Sequence, residues 1–350
     1  MVKISTQLNL VQPPSSPDPN YLAIHLRHHF DHEAEQNIDN LAQKEVIFSR
    51  NGIELQPING WNNNLPTPDI KTTPFTPAQE TQTVAGIDSS CIHIAETSEG
   101  SVYAGRAAVV FSQNGHLTSY VRIGPIVYYM NEAAASRISY EVSGTNRLTK
   151  LFLIDRSLAQ RIIREHLERA IALELVATLS ASIILLDGCL KTSKFDEQGR
   201  DLRRVLDIAG RNGDTVIGLS KTTKVGLLTR LSSVLYNAGN LPAYLDVDHL
   251  VAPVINRVEG HVILARFSRD GYVYRVDLPH SADAETSLSH LMYNDHFYHG
   301  YPETLRLAHH LSVFTTAQSD SVKSYLMKHA GVVEIPSEDL RRVTLGSLSL

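Results

Sequence analysis

The sequence predicts an α/β protein, a mixed sheet flanked by helices and preceded by a helical and extended arm. Three observations predict it. Ser112-Gln113-Asn114-Gly115 separates two β-patterned runs, and its Asn-Gly pair supplies the positive φ angles of a tight hairpin. Beyond the hairpin, apolar runs of strand length alternate with amphipathic stretches of helix length. Two apolar runs end in aspartate: residues 83–87 lead to Asp88 and residues 182–186 to Asp187. Ligand crevices in open α/β sheets lie outside such strand ends.

The elements follow in order. Residues 1–20 are polar and rich in Pro and Ser, a loose tail; residues 21–45 read as a helix with apolar positions at Leu22, Leu26 and Phe30. His25, His28, His29 and His32 share that helix at metal-ligand spacing, but no acidic or Cys ligand completes a site, so a solvated, partner-facing surface is the better reading. Residues 51–82 carry Pro57, Pro66, Pro68, Pro74 and Pro77 and close the arm (21–82) as a linker or wrapping segment. A compact unit then spans residues 83–335, with strands expected at 83–94, 100–111 and 116–129 and a long helix at 155–179. The Asp187 strand follows, then a helix at 201–209 and a strand at 215–219. Strands at 261–267 and 272–278 are joined by Ser268-Arg269-Asp270-Gly271, helices at 284–292, 302–315 and 319–330 complete the unit, and residues 336–350 form a tail.

Composition narrows the class. The chain has 350 residues, 43% hydrophobic and 20% charged, ordinary for a soluble globular protein. Cys91 and Cys189 are too few for a disulfide framework and read as reduced thiols of a cytosolic protein. The N-terminus lacks a basic region ahead of a long apolar stretch and no 18-residue apolar run occurs, so neither export nor membrane spanning is expected. A net charge of −5 does not advertise a nucleic-acid binder, yet a polyanion needs only a local basic surface. Lys221, Lys224 and Arg230, just past the 215–219 strand, are the pieces placed to supply one; taken alone, such a cluster more often forms a solvated face.

Carboxylates in apolar segments carry the chemistry. An ionised carboxylate at the edge of a core is costly unless compensated, and several converging on one point usually hold a divalent cation. Asp88 and Asp187 are two such groups, although either alone could simply start a turn. On the long helix, Ile163, Leu167, Ala170, Ile171, Glu174 and Thr178 share a face, which makes Glu174 the charged exception on an apolar stripe. Glu168, among the charges of the other face, is the substitute candidate, and a fraying helix end would leave Glu174 in water.

A leading hairpin, strands alternating with helices and acids at strand ends make the layout of the ribonuclease H-like fold. The chain further resembles the NurA family of nucleases, through Gly86-Ile87-Asp88-Ser89-Ser90, Leu186-Asp187-Gly188, Ile217-Gly218-Leu219-Ser220-Lys221, Tyr274-Arg275-Val276-Asp277 and Gly300-Tyr301-Pro302-Glu303-Thr304-Leu305 with Ala308-His309. The resemblance implies that Asp88, Asp187 and a helical acid, Glu174 or Glu168, are metal ligands, and that Tyr301 and His309 belong to the active site, His309 also as a ligand. It implies Mn²⁺, with Mg²⁺ as the alternative, and a DNA nuclease with 5′–3′ exonuclease and endonuclease activity. Such nucleases are homodimers that work in end resection and repair with a HerA-type hexameric ATPase. Lys221 matches a basic residue of the family; Asp277 has no settled role. Two other classes stay open: an actin-like or sugar-kinase-type ATPase, for which Leu186-Asp187-Gly188-Cys189 is a poor phosphate loop, and an inactive structural partner of an ATPase, which a missing acid would betray.

Overall fold

A computed structural model of the chain describes residues 30–31, 33–41, 45–48, 71–136, 155–192, 200–221, 226–253 and 257–335. The strands are β1 (Glu45–Phe48), β2 (Thr73–Pro74), β3 (Val84–Glu96), β4 (Gly100–Gln113), β5 (His116–Asn131), β6 (Ile183–Asp187), β7 (Thr215–Ser220), β8 (Ala243–Asp246), β9 (His261–Arg266), β10 (Tyr274–Leu278), β11 (Phe297–Tyr298), β12 (Tyr301–Pro302) and β13 (Val333–Glu334). The helices include α1 (Arg156–Thr178), α2 (Arg200–Asn212), α3 (Gly226–Tyr236), α4 (Asp248–Val251), α5 (Ala284–Asn294), α6 (Glu303–Ser312) and α7 (Thr316–His329).

Eleven strands form one mixed sheet, and β11 and β12 make a separate hairpin. Its centre runs β5-β4-β3-β6-β7, with β3, β6 and β7 parallel and β4 reversed between β3 and β5. This is the ribonuclease H-like arrangement that the sequence pattern predicts. The leading hairpin closes as expected, with Asn114 and Gly115 at φ 52° and 73°, matching the right-handed twist of the strands they join. β6 and β7 are covered on both faces, which explains the near-continuous apolar runs Ile183–Leu186 and Val216–Leu219.

Each face has its own core. Ala85 and Ile87 of β3 pack with Ile163, Leu167 and Ile171 of α1 and Leu202 and Val205 of α2. Val84, Ile183, Leu185 and Ile217 pack on the other side with Leu288 and Leu291 of α5 and Leu305 of α6. The alternation of a strand therefore assigns even-numbered β3 residues, Asp88 included, to the α6 side. Asp155 caps α1 by accepting from the backbone N–H of Ser157 and Leu158 at 3.0 and 3.1 Å. α1 leads from β5 into β6 and runs antiparallel to β3 and β6, so its early turns lie level with the strand ends.

The structure revises three expectations. Asp88 is not at a strand end: β3 continues to Glu96 because β4 pairs with it throughout, while its pairing with β6 stops at Ile87. Past that point β1 takes up the same edge of β3 through Ile47 and Phe48, and β2 pairs with β8, so the arm contributes two strands to the sheet. Pro302 is the N-cap of α6 and Glu303 its first helical residue, one position later than Pro302 alone suggests. The histidines at 25, 28, 29 and 32 lie outside the described residues.

α6 docks on β3 at Gly86, where any Cβ would meet backbone and side chain of Thr304 at 2.8 Å. The approach is held by Asp295, a buried carboxylate that accepts from Thr304 Oγ1 at 2.5 Å and from the backbone N–H of His296 at 2.8 Å. Burial pushes the Asp295 carboxyl up to about 7. A carboxyl with a raised folded-state value contributes stability that is fully present below its unfolded value, near 4, and lost as pH rises through about 7. Between pH 4 and 8 the wild type should therefore lose up to about 4 kcal/mol relative to Asp295→Asn, which cannot ionise. Denaturant midpoints of the two proteins against pH check this; parallel curves would remove the titration of Asp295.

Candidate metal centre

β6 ends at Asp187 just where β3 carries Asp88 past its last pairing with β6, so a notch opens between the two carboxylates. α6 covers the notch from the side to which both point. It delivers His309, whose Nδ1 lies 2.7 Å from Oδ2 of Asp88, and Ser312, whose hydroxyl donates to the same oxygen at 3.5 Å. The backbone N–H of Ser89 donates to the other Asp88 oxygen at 2.8 Å. One ligand atom each from Asp88, Asp187 and His309 falls within a 4.8 Å span. Oxygen and imidazole donors at that spacing fit a hard or borderline divalent cation, which binds such ligands at about 2 to 2.6 Å.

Asp187 is held from the other side. Tyr301, buried on β12, donates its hydroxyl to Oδ1 at 3.1 Å, and Lys221 Nζ lies 2.8 Å from Oδ2. The Lys221 ammonium also sits 4.9 Å from the centroid of the Tyr301 ring. Burial, reinforced by the Asp187 charge, holds the Tyr301 hydroxyl well above its ordinary range, so it stays a donor. The Asp88 carboxyl is likewise raised, by burial first and by Asp187 second, against the opposing pull of His309. A buried carboxyl whose proton affinity a neighbouring carboxylate raises is a site asking for positive charge, and Lys221 supplies the one ammonium in contact with Asp187 among the described residues.

Of the two helical acids, Glu168 lies nearer the site. Glu168 Oε1 accepts from the Ser89 hydroxyl at 2.5 Å, and its carboxyl is pushed up to about 8 by burial, with the charges of Asp88 and Asp187 adding to the rise. Neither Glu168 nor Glu174 contributes an atom to the 4.8 Å cluster. Glu168 is the nearer because of its level along the helix. α1 runs antiparallel to β3, with Gln160 donating to the Cys91 carbonyl and Arg164 and Glu168 beside Ser89, so six residues further on Glu174 lies about 9 Å closer to the strand starts. Helical phase selects a face, but only the docking of α1 selects the level. Of the basic residues, Lys221 meets the site, Lys224 lies outside the described residues, and Arg230 is on α3 with its side chain outside them.

Ser89 and Ser312 are site residues that the sequence reading passed over. Ser312 has a legible signal, since it follows His309 by three on one helix face. Ser89 has none, because a serine after a strand aspartate reads as turn chemistry.

Among solved structures, the NurA nuclease from Sulfolobus solfataricus is similar at 15% identity over 86% of this chain and 93% of its own, with a TM-score of 0.44. A further NurA structure is similar at 12% identity over 88% and 95% of the two chains, with a TM-score of 0.41. Endonuclease V from Bacillus subtilis is similar at 14% identity over 74% and 88%, with a TM-score of 0.33. No curated protein matches the chain. Residues 82–252 match the family model described as the NurA domain, and over that segment the chain is similar to the NurA family.

Proposed function

We propose that the protein is a metal-dependent nuclease that hydrolyses phosphodiester bonds in DNA, with Asp88, Asp187 and His309 as ligands and Glu168 beside them. The observation that carries the reading is the convergence of two carboxylates and an imidazole within 4.8 Å in a chain with a NurA domain. A divalent cation bound there supplies a water of lowered pKa and neutralises charge building on phosphorus. The protein's own groups do the rest. Tyr301, locked as a donor, is aimed at the notch and can hydrogen-bond a phosphate oxygen. His309, half exposed beside Asp88, would ligate through one ring nitrogen and keep its proton on the other, so the proton of the attacking water passes to solvent. Lys221 compensates Asp187 while no substrate is present and is free to contact a phosphate once that charge is otherwise balanced. The same proposal extends, by the match to the NurA domain, to exonuclease and endonuclease activity, 5′–3′ polarity, preference for Mn²⁺ over Mg²⁺, dimerisation and action with a HerA-type ATPase in end resection.

Three measurements test the assignment. Digestion of 5′- and 3′-labelled DNA should proceed with Mn²⁺ and stop with EDTA. Asp88→Asn should slow it about a thousandfold, roughly 4 kcal/mol of transition-state stabilisation, with an unchanged circular dichroism spectrum. Full activity in EDTA would sink the metal mechanism.

Glu168→Gln should lower the rate at least about tenfold, whereas Glu174→Gln stays within about twofold. Single-turnover rates compare the two, and the reverse order would restore Glu174.

Lys221→Gln should bind Mn²⁺ about two- to fivefold more tightly without DNA, because the exposed ion pair that competes for Asp187 is gone. Its DNA affinity should fall, with a salt slope smaller by about one phosphate contact. Calorimetry with Mn²⁺ alone checks the first effect, and weaker metal binding would show that Lys221 does not compete.

A further inference from the structure

The Asp187 carboxylate faces the notch only if the backbone that follows it turns away at once. That turn is anchored on a buried ion pair two strands over. Asp277 on β10 is fully buried, at 0% exposure. Arg275 grips it in a fork, Nε to Oδ1 at 2.7 Å and Nη2 to Oδ2 at 2.7 Å. Asp277 Oδ2 accepts one further hydrogen bond, from the backbone N–H of Leu190 at 3.1 Å.

The register explains how a β10 side chain reaches the loop after β6. Asp277 pairs with Gly218 of β7, and Gly218 pairs with Leu186, the residue before Asp187. A Cβ at Gly218 would meet Gly188 O and Leu190 N at 2.9 Å each. With no side chain there, the turn 188–190 lies directly on β7, and the Asp277 carboxylate crosses above Gly218 to Leu190. The turn is fixed at its other end by Gly188 N–H donating to the Leu219 carbonyl at 3.0 Å.

Asp277 is enclosed and its oxygens are engaged by Arg275 and Leu190, so it does not coordinate an ion itself. We propose that Asp277, held by Arg275, is a positioning residue for Asp187: by clamping Leu190 it fixes the turn that aims the Asp187 carboxylate at Asp88. The inference rests on the reading that Asp88 and Asp187 hold a divalent cation. A neutral acceptor would serve the turn less well, because a carboxylate makes the stronger hydrogen bond to a buried N–H, and Arg275 offsets the burial of its charge.

The experiment is Mn²⁺ binding to the full chain without DNA, followed by electron paramagnetic resonance. The proteins are wild type, Asp88→Asn, Asp277→Asn, the double variant Arg275→Met/Asp277→Leu, and Leu288→Ala. The double variant replaces both charges with apolar groups, a change buried pairs often tolerate, so it keeps the test open should Asp277→Asn not fold. Leu288→Ala opens the same core on α5 without touching the turn and controls for destabilisation. Folded protein should bind Mn²⁺ about ten- to a hundredfold more weakly in both Asp277 variants and normally in Leu288→Ala. Wild-type affinity in the Asp277 variants, with Asp88→Asn weakened, would overturn the positioning role and leave the metal site standing. Equal Mn²⁺ binding by wild type and Asp88→Asn would overturn the metal site, and the positioning role with it.

Discussion

Two carboxylates held side by side repel each other, and the structure around the notch is organised by that repulsion. Asp88 and Asp187 lie on neighbouring parallel strands at the point where one strand stops and the other continues. Asp88 is buried and α6 covers the side that both face, so Asp187 keeps only partial access to water. Positive and polar groups therefore converge on them: Lys221 and the Tyr301 hydroxyl on Asp187, and His309, Ser312 and the Ser89 N–H on Asp88. Such an arrangement is expensive as mere architecture, since well-packed apolar residues would stabilise the same notch at lower cost. Its chemical sense is as a receptor for a cation.

The rest of the molecule can be read as support for that notch. α6 must dock closely enough to bring His309 to Asp88, and Gly86 permits the approach while Asp295 secures the helix start through Thr304. The other end of α6 is tied down by Ser90, whose hydroxyl donates to the Ser312 carbonyl at 2.5 Å, and by Arg106, whose guanidinium donates to the Val313 carbonyl at 3.2 Å. Arg106 also lies 4.1 Å from the centroid of the Phe314 ring, so charge and stacking hold the same junction. The β11–β12 hairpin turns the chain so that Tyr301 meets Asp187 while His309 meets Asp88. Contacts from two ends of one helix and one hairpin thus fix two side chains that are eight residues apart in sequence.

Charge distribution follows the same logic at larger scale. The chain is acidic overall, yet a basic group, the Lys221 ammonium, lies against Asp187 in the carboxylate cluster. In the proposed reading, that ammonium is the group free to turn from the carboxylate to a phosphate. No helix of the described residues is long and apolar enough to cross a membrane.

Much of this was legible in the sequence because it depends on local pattern. The hairpin at Asn114-Gly115, the apolar runs of β3, β6 and β7 and the span of α1 are set by turn chemistry, periodicity and spacing, which neighbouring residues determine, whereas Tyr301 and His309 were legible through the resemblance to the NurA family. The sequence also named Asp88 and Asp187, since a carboxylate ending an apolar run is conspicuous wherever it goes. What only the tertiary structure decided is position along an element and contact across elements. Glu174 satisfies helical phase as well as any residue on α1, but the antiparallel docking of that helix brings Glu168 to the level of Ser89. Asp88 looks like a strand end until β4 is seen to carry β3 onward, and Asp277 reaches Leu190 only because Gly218 leaves the space between them empty. Register and packing depth are sums over contacts distant in the chain, so no window of sequence contains them.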